Sequence, residues 1–139
     1  MVNSETNPDS LVGDEHPIVT WGARLTAAGL ILLGLHVAVP DLAAWGYGIE
    51  PLDDNGEAYL IAAGVRDFSL GLMTLYLLRQ YRGALGVFFL FMLVIPVFDT
   101  ILVLRYATEI WKIFPHATGV IGLAVISFFA FREQRGLSQ

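Results

Sequence analysis

The chain has 139 residues, of which 55% are hydrophobic and only 15% charged, with a mean hydropathy of +0.62. Soluble domains carry about 25% charged residues, and a protein this small exposes too much surface to hide so much apolar material, so a water-soluble globule is a poor reading and a membrane bundle the expectation. The net charge of −5, with eight scattered basic residues and no basic run, excludes a nucleic-acid-binding surface. The absence of cysteine removes disulfides, thiolate chemistry and cysteine-ligated metal.

Residues 1–17 (MVNSETNPDSLVGDEHP) are polar and acidic. They lack the basic start and small-residue cleavage site of a signal peptide, and a disordered cytoplasmic tail is the expectation. Four apolar blocks follow, at residues 19–39, 58–78, 84–105 and 113–131, each close to the ~20 helical residues that cross a hydrocarbon core. Runs such as GVFFLFMLVIPVF are apolar on every face, without the alternation of barrel strands. The predicted fold is all-α: an integral-membrane bundle of four transmembrane helices over residues 18–132, with a short tail at 133–139. Pro40-Asp41 ends the first span, and Gly, Pro and Asp fill the loop before the second. The turn Arg79-Gln80-Tyr81-Arg82-Gly83 is tight, which makes the second and third spans antiparallel neighbours.

Lys and Arg in short loops set orientation. Arg79 and Arg82 lie in the second turn and Arg132 and Arg135 near the C-terminus, on the side of the N-terminus. The first loop holds Asp41, Glu50, Asp53, Asp54 and Glu57 without a basic residue, and only Arg105 and Lys112 are discordant. Both termini are therefore expected in the cytosol. Trp45, Tyr47 and Trp111 would form the aromatic belt at the far interface and Trp21 and Tyr81 at the near one. Arg24, Arg79 and Arg82 are read as interfacial anchors.

The second span carries Arg66-Asp67 side by side, and charges at such depth cost ~3 kcal/mol or more each. At 1.5 Å per residue, Arg66 and Asp67 lie roughly 12–14 Å from the non-cytosolic surface, Asp99 roughly 9 Å, and His36 and His116 about 4–5 Å. The intramembrane polar groups of four helices thus share one half of the bilayer, with Arg24 the exception. A single polar chamber opening away from the cytosol accounts for this. Gly64, Asp67, Gly71 and Thr74 form a small and polar stripe suited to a bundle interior. Arg66 is rotated ~100° from Asp67, so both line a cavity only if it reaches around the helix. Pro96 invites a kink by failing to bond the Met92 carbonyl, with Asp99 one turn beyond on a similar face. Gly119, Gly122 and Ser127 would let a neighbouring helix approach.

Arg66, Asp67 and Asp99 have two readings. They are an ion-pair network holding helices in register, or an acid–base set in which two carboxyls sharing one guanidinium titrate unequally. His116 has the chemistry of a proton shuttle, although a histidine near a helix start also serves as a satisfied interfacial residue; His36 is the weaker candidate of the two. No Glu-x-x-His or i, i+4 ligand spacing is present, and neither a metal nor a cofactor is expected. The loop acids lack calcium-loop spacing.

Gly64-Val65-Arg66-Asp67 followed by Leu70-Gly71, then Arg82-Gly83-Ala84-Leu85-Gly86, Ile95-Pro96-Val97-Phe98-Asp99, Val103-Leu104-Arg105 and His116-Ala117-Thr118-Gly119 together resemble the DUF4267 family of small four-helix integral-membrane proteins. The resemblance runs from about Thr20 to Arg132 and departs at Pro115, where a small residue is expected. It implies the fold and the polar positions but names no activity. It also points to fungal natural-product pathways, where similar small membrane proteins serve as cyclases, isomerases or epoxide-opening enzymes.

The leading expectation is an enzyme for redox-neutral, proton-driven chemistry on a lipophilic small molecule: epoxide opening, cyclisation or isomerisation. Asp67, Asp99, Arg66 and His116 are the candidate catalytic residues. One carboxyl donates a proton and the other accepts one, while Arg66 orients both and stabilises developing charge. The alternative is a non-catalytic accessory, lipid-binding or transporter-like protein. Its partners would be membrane lipids and, for transport, further copies of itself in a homo-oligomer.

Overall fold

The computed structural model describes residues 16–39, 47, 54–106 and 109–136. Helix α1 spans Pro17–Leu35 and continues as a 3₁₀ turn, His36–Ala38. Helix α2 spans Asp54–Gln80, followed by a 3₁₀ turn at Arg82–Ala84. Helices α3 (Leu85–Met92) and α4 (Val94–Tyr106) form the third span. A 3₁₀ turn at Ile110–Ile113 leads into α5, Phe114–Gly136. Four segments, Pro17–Leu35, Gly56–Gln80, Arg82–Arg105 and Ile110–Arg135, are long and apolar enough to cross a membrane, and no strand occurs among the described residues. The protein is an all-α, multi-pass membrane bundle. Large apolar side chains such as Leu25, Phe91, Phe98 and Phe114 stand 60–71% exposed around it, a surface that only lipid would cover without penalty.

The helix limits follow local chemistry. Pro17 opens α1 in the first turn, where its missing N–H costs nothing, and the His16 carbonyl accepts bonds from the amides of Val19 and Thr20 at 2.9 and 3.2 Å. Val39 is extended, as the residue before a proline prefers to be. The third span breaks at Leu93, where α3 ends with the Leu93 amide bonded to Phe89 and Pro96 unable to bond Met92. Pro115, the departure from the family pattern, falls in the first turn of α5 and does not disturb it. Helix α5 runs past residue 131 to Gly136 because Glu133 and Gln134 are engaged. Glu133 pairs with Arg82, and Gln134 donates to the Gly83 carbonyl. The acids at 41, 50 and 53, the aromatic at 45 and the tail before His16 lie outside the described residues.

Small residues decide which helices touch. A Cβ on Gly34 would lie 2.6 Å from the Phe68 Cβ and 2.7 Å from the Gly64 carbonyl oxygen, and one on Gly71 2.9 Å from the Ala27 carbonyl oxygen. Helices α1 and α2 therefore pack backbone to backbone. All four members of the Gly64, Asp67, Gly71, Thr74 stripe are buried, and Thr74 satisfies itself by donating to the Leu70 carbonyl at 2.8 Å. Helix α3 packs on α5, where the buried Ser127 hydroxyl donates to the Gly86 carbonyl at 2.9 Å. Helices α2 and α3, although joined by a tight turn, meet only slightly. The bundle is held through α1–α2, α3–α5, α4–α5 and α1–α5, and the antiparallel neighbours expected from the short turn are a minor contact.

The main core (Val19, Ala23, Leu85, Phe89, Met92, Leu123, Ile126 and Ala130) fills the half nearest the chain ends. That end is also stapled by polar groups. Arg82 pairs with Glu133 and donates from Nη2 to Thr20 Oγ1 at 2.9 Å, and the His16 amide donates to Glu133 Oε2 at 3.3 Å. Arg82 is thus a half-buried tie between three spans rather than a free interfacial anchor. Arg24 has the anchor's geometry, over the Trp21 ring at 5.1 Å. A smaller cluster, Tyr47, Leu60 and Ala63 with Leu33 against it, closes part of the opposite end.

Candidate functional site

Between the two clusters the four spans separate around a cavity of about 750 Å³, within the size range of small-molecule sites. Most of its lining is apolar, from Leu25, Leu30 and Leu33 on α1 to Met92 and Ile95 across the break in the third span and Leu123 on α5. The break carries the wall outward: Pro96 and Asp99 both face the cavity, as one turn of spacing requires.

The polar groups converge on it. Arg66, Asp67, Asp99, His116 and His36 all line the one chamber, which the sequence placed at one depth. Arg66 resolves its angular offset from Asp67 by folding back: Nε donates to Asp67 Oδ1 at 2.8 Å, while Nη2 reaches Asp99 Oδ2 at 3.7 Å. The guanidinium thereby bridges the second and third spans, which share little other contact.

Tyr47 completes the set and was missed as a site residue. The aromatic belt was its expected place, yet it is only 7% exposed and donates its hydroxyl to Asp67 Oδ2 at 2.9 Å. Trp21 and Tyr81 at the other interface are 60% and 59% exposed, as belt residues should be. Burial above all, then the charge and hydrogen bond of Asp67, pushes the Tyr47 phenol well above its ordinary value, so it remains an O–H donor. One signal for it existed in the chain. A carboxylate buried beside a single arginine needs a second donor for its other oxygen, and the adjacent loop held the candidates.

The two carboxylates differ. Asp67 is 3% exposed, and both its oxygens accept hydrogen bonds from Arg66 and Tyr47. Asp99, with 21% of its side chain exposed, has among the described residues the longer Arg66 contact alone. His116 Nε2 lies 3.3 Å from the Tyr47 carbonyl oxygen. A carbonyl only accepts, so Nε2 is the donor of this contact. The His36 Nδ1 is buried and has no partner among the described residues. Lys112 and Trp111 stand at the rim away from the chain ends. Gly119 and Gly122 face the cavity, and a Cβ at Gly122 would meet nothing within 4 Å. Gly122 makes room rather than admitting a neighbouring helix, which corrects its expected role, whereas a Cβ on Gly119 would lie 3.5 Å from the Pro96 Cβ of α4, so Gly119 and Ser127 do admit a neighbour.

Among the described residues no three His, Asp or Glu side chains are grouped to hold a metal. Asp67, Asp99, His116, Tyr47 and Arg66 can take up, release and stabilise protons and charge.

The family described as a domain of unknown function, DUF4267, matches residues 27–130. The chain belongs to that family. No curated protein and no solved structure matches it. The region of the DUF4267 match runs from the α1 residue Ala27 to Ala130 of α5, and every charged residue of the chamber falls inside it. The family's description states no activity, so function has to be argued from the chamber.

Proposed function

We propose that this DUF4267 protein is a membrane enzyme performing redox-neutral acid–base chemistry on a lipophilic small molecule, opening an epoxide, cyclising or isomerising. The observation that carries this is the pairing of Asp67 and Asp99, from different spans, about one arginine in an otherwise apolar cavity. Ionisable groups within membrane spans mark working sites by default. A purely structural pair would have no need to line a chamber of this volume.

The geometry supports a division of roles. Asp99, loosely held and open to the cavity, is the proton-transferring group. Asp67 fixes Arg66 and Tyr47 and is the carboxylate that receives the proton relayed by Tyr47. In epoxide opening, Asp99 in its acid form gives its proton to the ring oxygen as the C–O bond breaks. Water or a hydroxyl within the substrate forms the new bond to carbon. Its proton passes through Tyr47, which hands its own to Asp67. Arg66, in contact with both carboxyls, stabilises the charge left on Asp99. Return of the proton from Asp67 to Asp99 by way of water closes the cycle. His116 holds the Tyr47 backbone through Nε2 and offers Nδ1 to the chamber.

The basic residues near the chain ends further support placing both termini in the cytosol, with the chamber in the far leaflet. Turnover of epoxide-bearing polyketides and terpenoids in microsomes tests the enzymatic reading. Product from wild type, lost in folded Asp99→Asn and Arg66→Gln variants, is the expected result. Unaltered turnover in both would sink it and leave the charges as a structural network.

A further inference from the structure

The chamber wall is incomplete on one side. Helices α1 and α5 are in close contact near the chain ends, where a Cβ on Gly22 would lie 2.7 Å from Ile126 Cγ1. Seven residues along α1, about 10 Å further from that end, stands Gly29. In an antiparallel pair the facing stretch of α5 is around Gly119 and Gly122. Here the helices no longer touch: a Cβ at Gly29 or Gly122 would meet nothing within 4 Å. Both glycines line the chamber, and Gly29 is exposed. Leu25 and Leu32 on the same helix line the chamber while remaining 70% and 59% exposed, and Thr118 on α5 does likewise. Residues that face the cavity and the outside at once mark its opening. This opening lies within the membrane-crossing segments, so it faces hydrocarbon.

We infer that the chamber opens sideways into the bilayer through a slot between α1 and α5, walled by Gly29 and Gly122, and that its occupant is a neutral, membrane-dissolved amphiphile. Its apolar body lies in the slot and its oxygen-bearing end reaches Arg66 and Asp99. The charge balance selects neutrality. The guanidinium at the polar end is already bonded to Asp67 and in contact with Asp99, so an anionic head would have to displace those partners to pair with it. Elements on every side agree: α1 offers Leu25, Leu32 and Gly29, α5 offers Gly122 and Leu123, and the polar end is deepest, on α2 and α4. This deepens the proposed function by naming the substrate class and its route, and it rests on the chamber being a ligand site.

The test uses the full chain in phosphatidylcholine nanodiscs with a hexadecanol probe carrying a mid-chain diazirine and a terminal alkyne. Photolabelling is expected on residues 25–32 and 118–123. Gly122→Trp on one wall and Gly29→Phe on the other, each filling open space, are each expected to cut that labelling about tenfold. Asp99→Asn removes turnover but leaves the labelled positions the same, because the diazirine sits mid-chain in the slot and not at the polar end. Undiminished labelling in either folded wall variant, or labels spread evenly over the outer surface, overturns the slot. Stronger competition by hexadecanoate than by hexadecanol overturns the neutral head.

A second readout needs no wall variant. The chain has no cysteine, so a bimane on Thr26→Cys, inside the chamber, reports lipid access alone. Quenching by doxyl-labelled lipid is expected, and a shielded bimane overturns the slot. If turnover survives Asp99→Asn while labelling and quenching behave as expected, the enzymatic reading fails and the slot stands.

Discussion

The Tyr47 hydroxyl and the Arg66 Nε occupy both oxygens of Asp67, and a bond to an ionised acceptor contributes about 1.5–3 kcal/mol. Tyr47→Phe should therefore lower stability by about that amount, measured by denaturant unfolding in mild detergent. The pH dependence has a definite sign. The phenol ionises at 10.0 when free and higher in the folded protein, so its contribution is complete below the unfolded value and fades as pH rises beyond it. The gap between wild type and Tyr47→Phe should hold constant from neutral pH to about 9 and shrink above about 10. A gap that grew with alkalinity would mean that Tyr47 ionises before unfolding.

Asp99 has the opposite profile. Its ion-pair contact with Arg66 is 3.7 Å long and a fifth of its side chain is exposed, so Asp99→Asn should cost little stability, ~0–1 kcal/mol. Loss of a proton-transferring group removes roughly 100- to 10,000-fold in rate. Melting temperature and turnover measured on the same preparation separate these effects. A large melting shift with intact turnover would make Asp99 a structural partner of Arg66.

At the scale of the helix, glycines with the same sequence signature have opposite consequences. Gly34 and Gly71 lie where a Cβ would overlap neighbouring backbone, and Gly29 and Gly122 where it would meet nothing. Gly34→Ala and Gly71→Ala should destabilise by about 1–3 kcal/mol through overpacking. Gly29→Ala and Gly122→Ala should be neutral or stabilising by up to about 1 kcal/mol, since alanine is the better helix former. Thermal unfolding of the four variants decides it; equal effects would mean that α1 and α2 tolerate separation. This is also where sequence legibility ends. Apolar block length set the four spans, the position of Pro96 set the break in the third, and counting residues inward brought Arg66, Asp67, Asp99 and His116 into one half of the bilayer. Period and depth, however, place a residue on a face without saying what stands opposite. They could not separate the packing glycines from those that open the chamber, or show that α2 and α3 hardly meet despite their short turn. Tyr47 was hidden for a related reason. An aromatic in a loop at a membrane boundary reads as belt, and only its hydrogen bond to Asp67, twenty residues away, shows otherwise.

For the whole molecule, its two ends are built differently. The end with the chain termini is dry and tied across three spans by Arg82, Glu133 and Thr20. The other holds the chamber, with Lys112 at its rim. Positive charge in short loops favours the cytosolic side for the first of these ends. Lys112, the main discordant residue, lies against the chamber, so its position is set in part by the site rather than by topology alone. The absence of cysteine makes the orientation directly measurable with single substitutions. Gln80, exposed at the end of α2, and Ile110, 81% exposed at the opposite end, are suitable positions. In sealed microsomes an impermeant maleimide should label Gln80→Cys at once and Ile110→Cys only after permeabilisation. The reverse pattern would invert the bundle and open the chamber's rim to the cytosol. The lateral slot between α1 and α5 would be unaffected, because its access to lipid does not depend on which leaflet holds it.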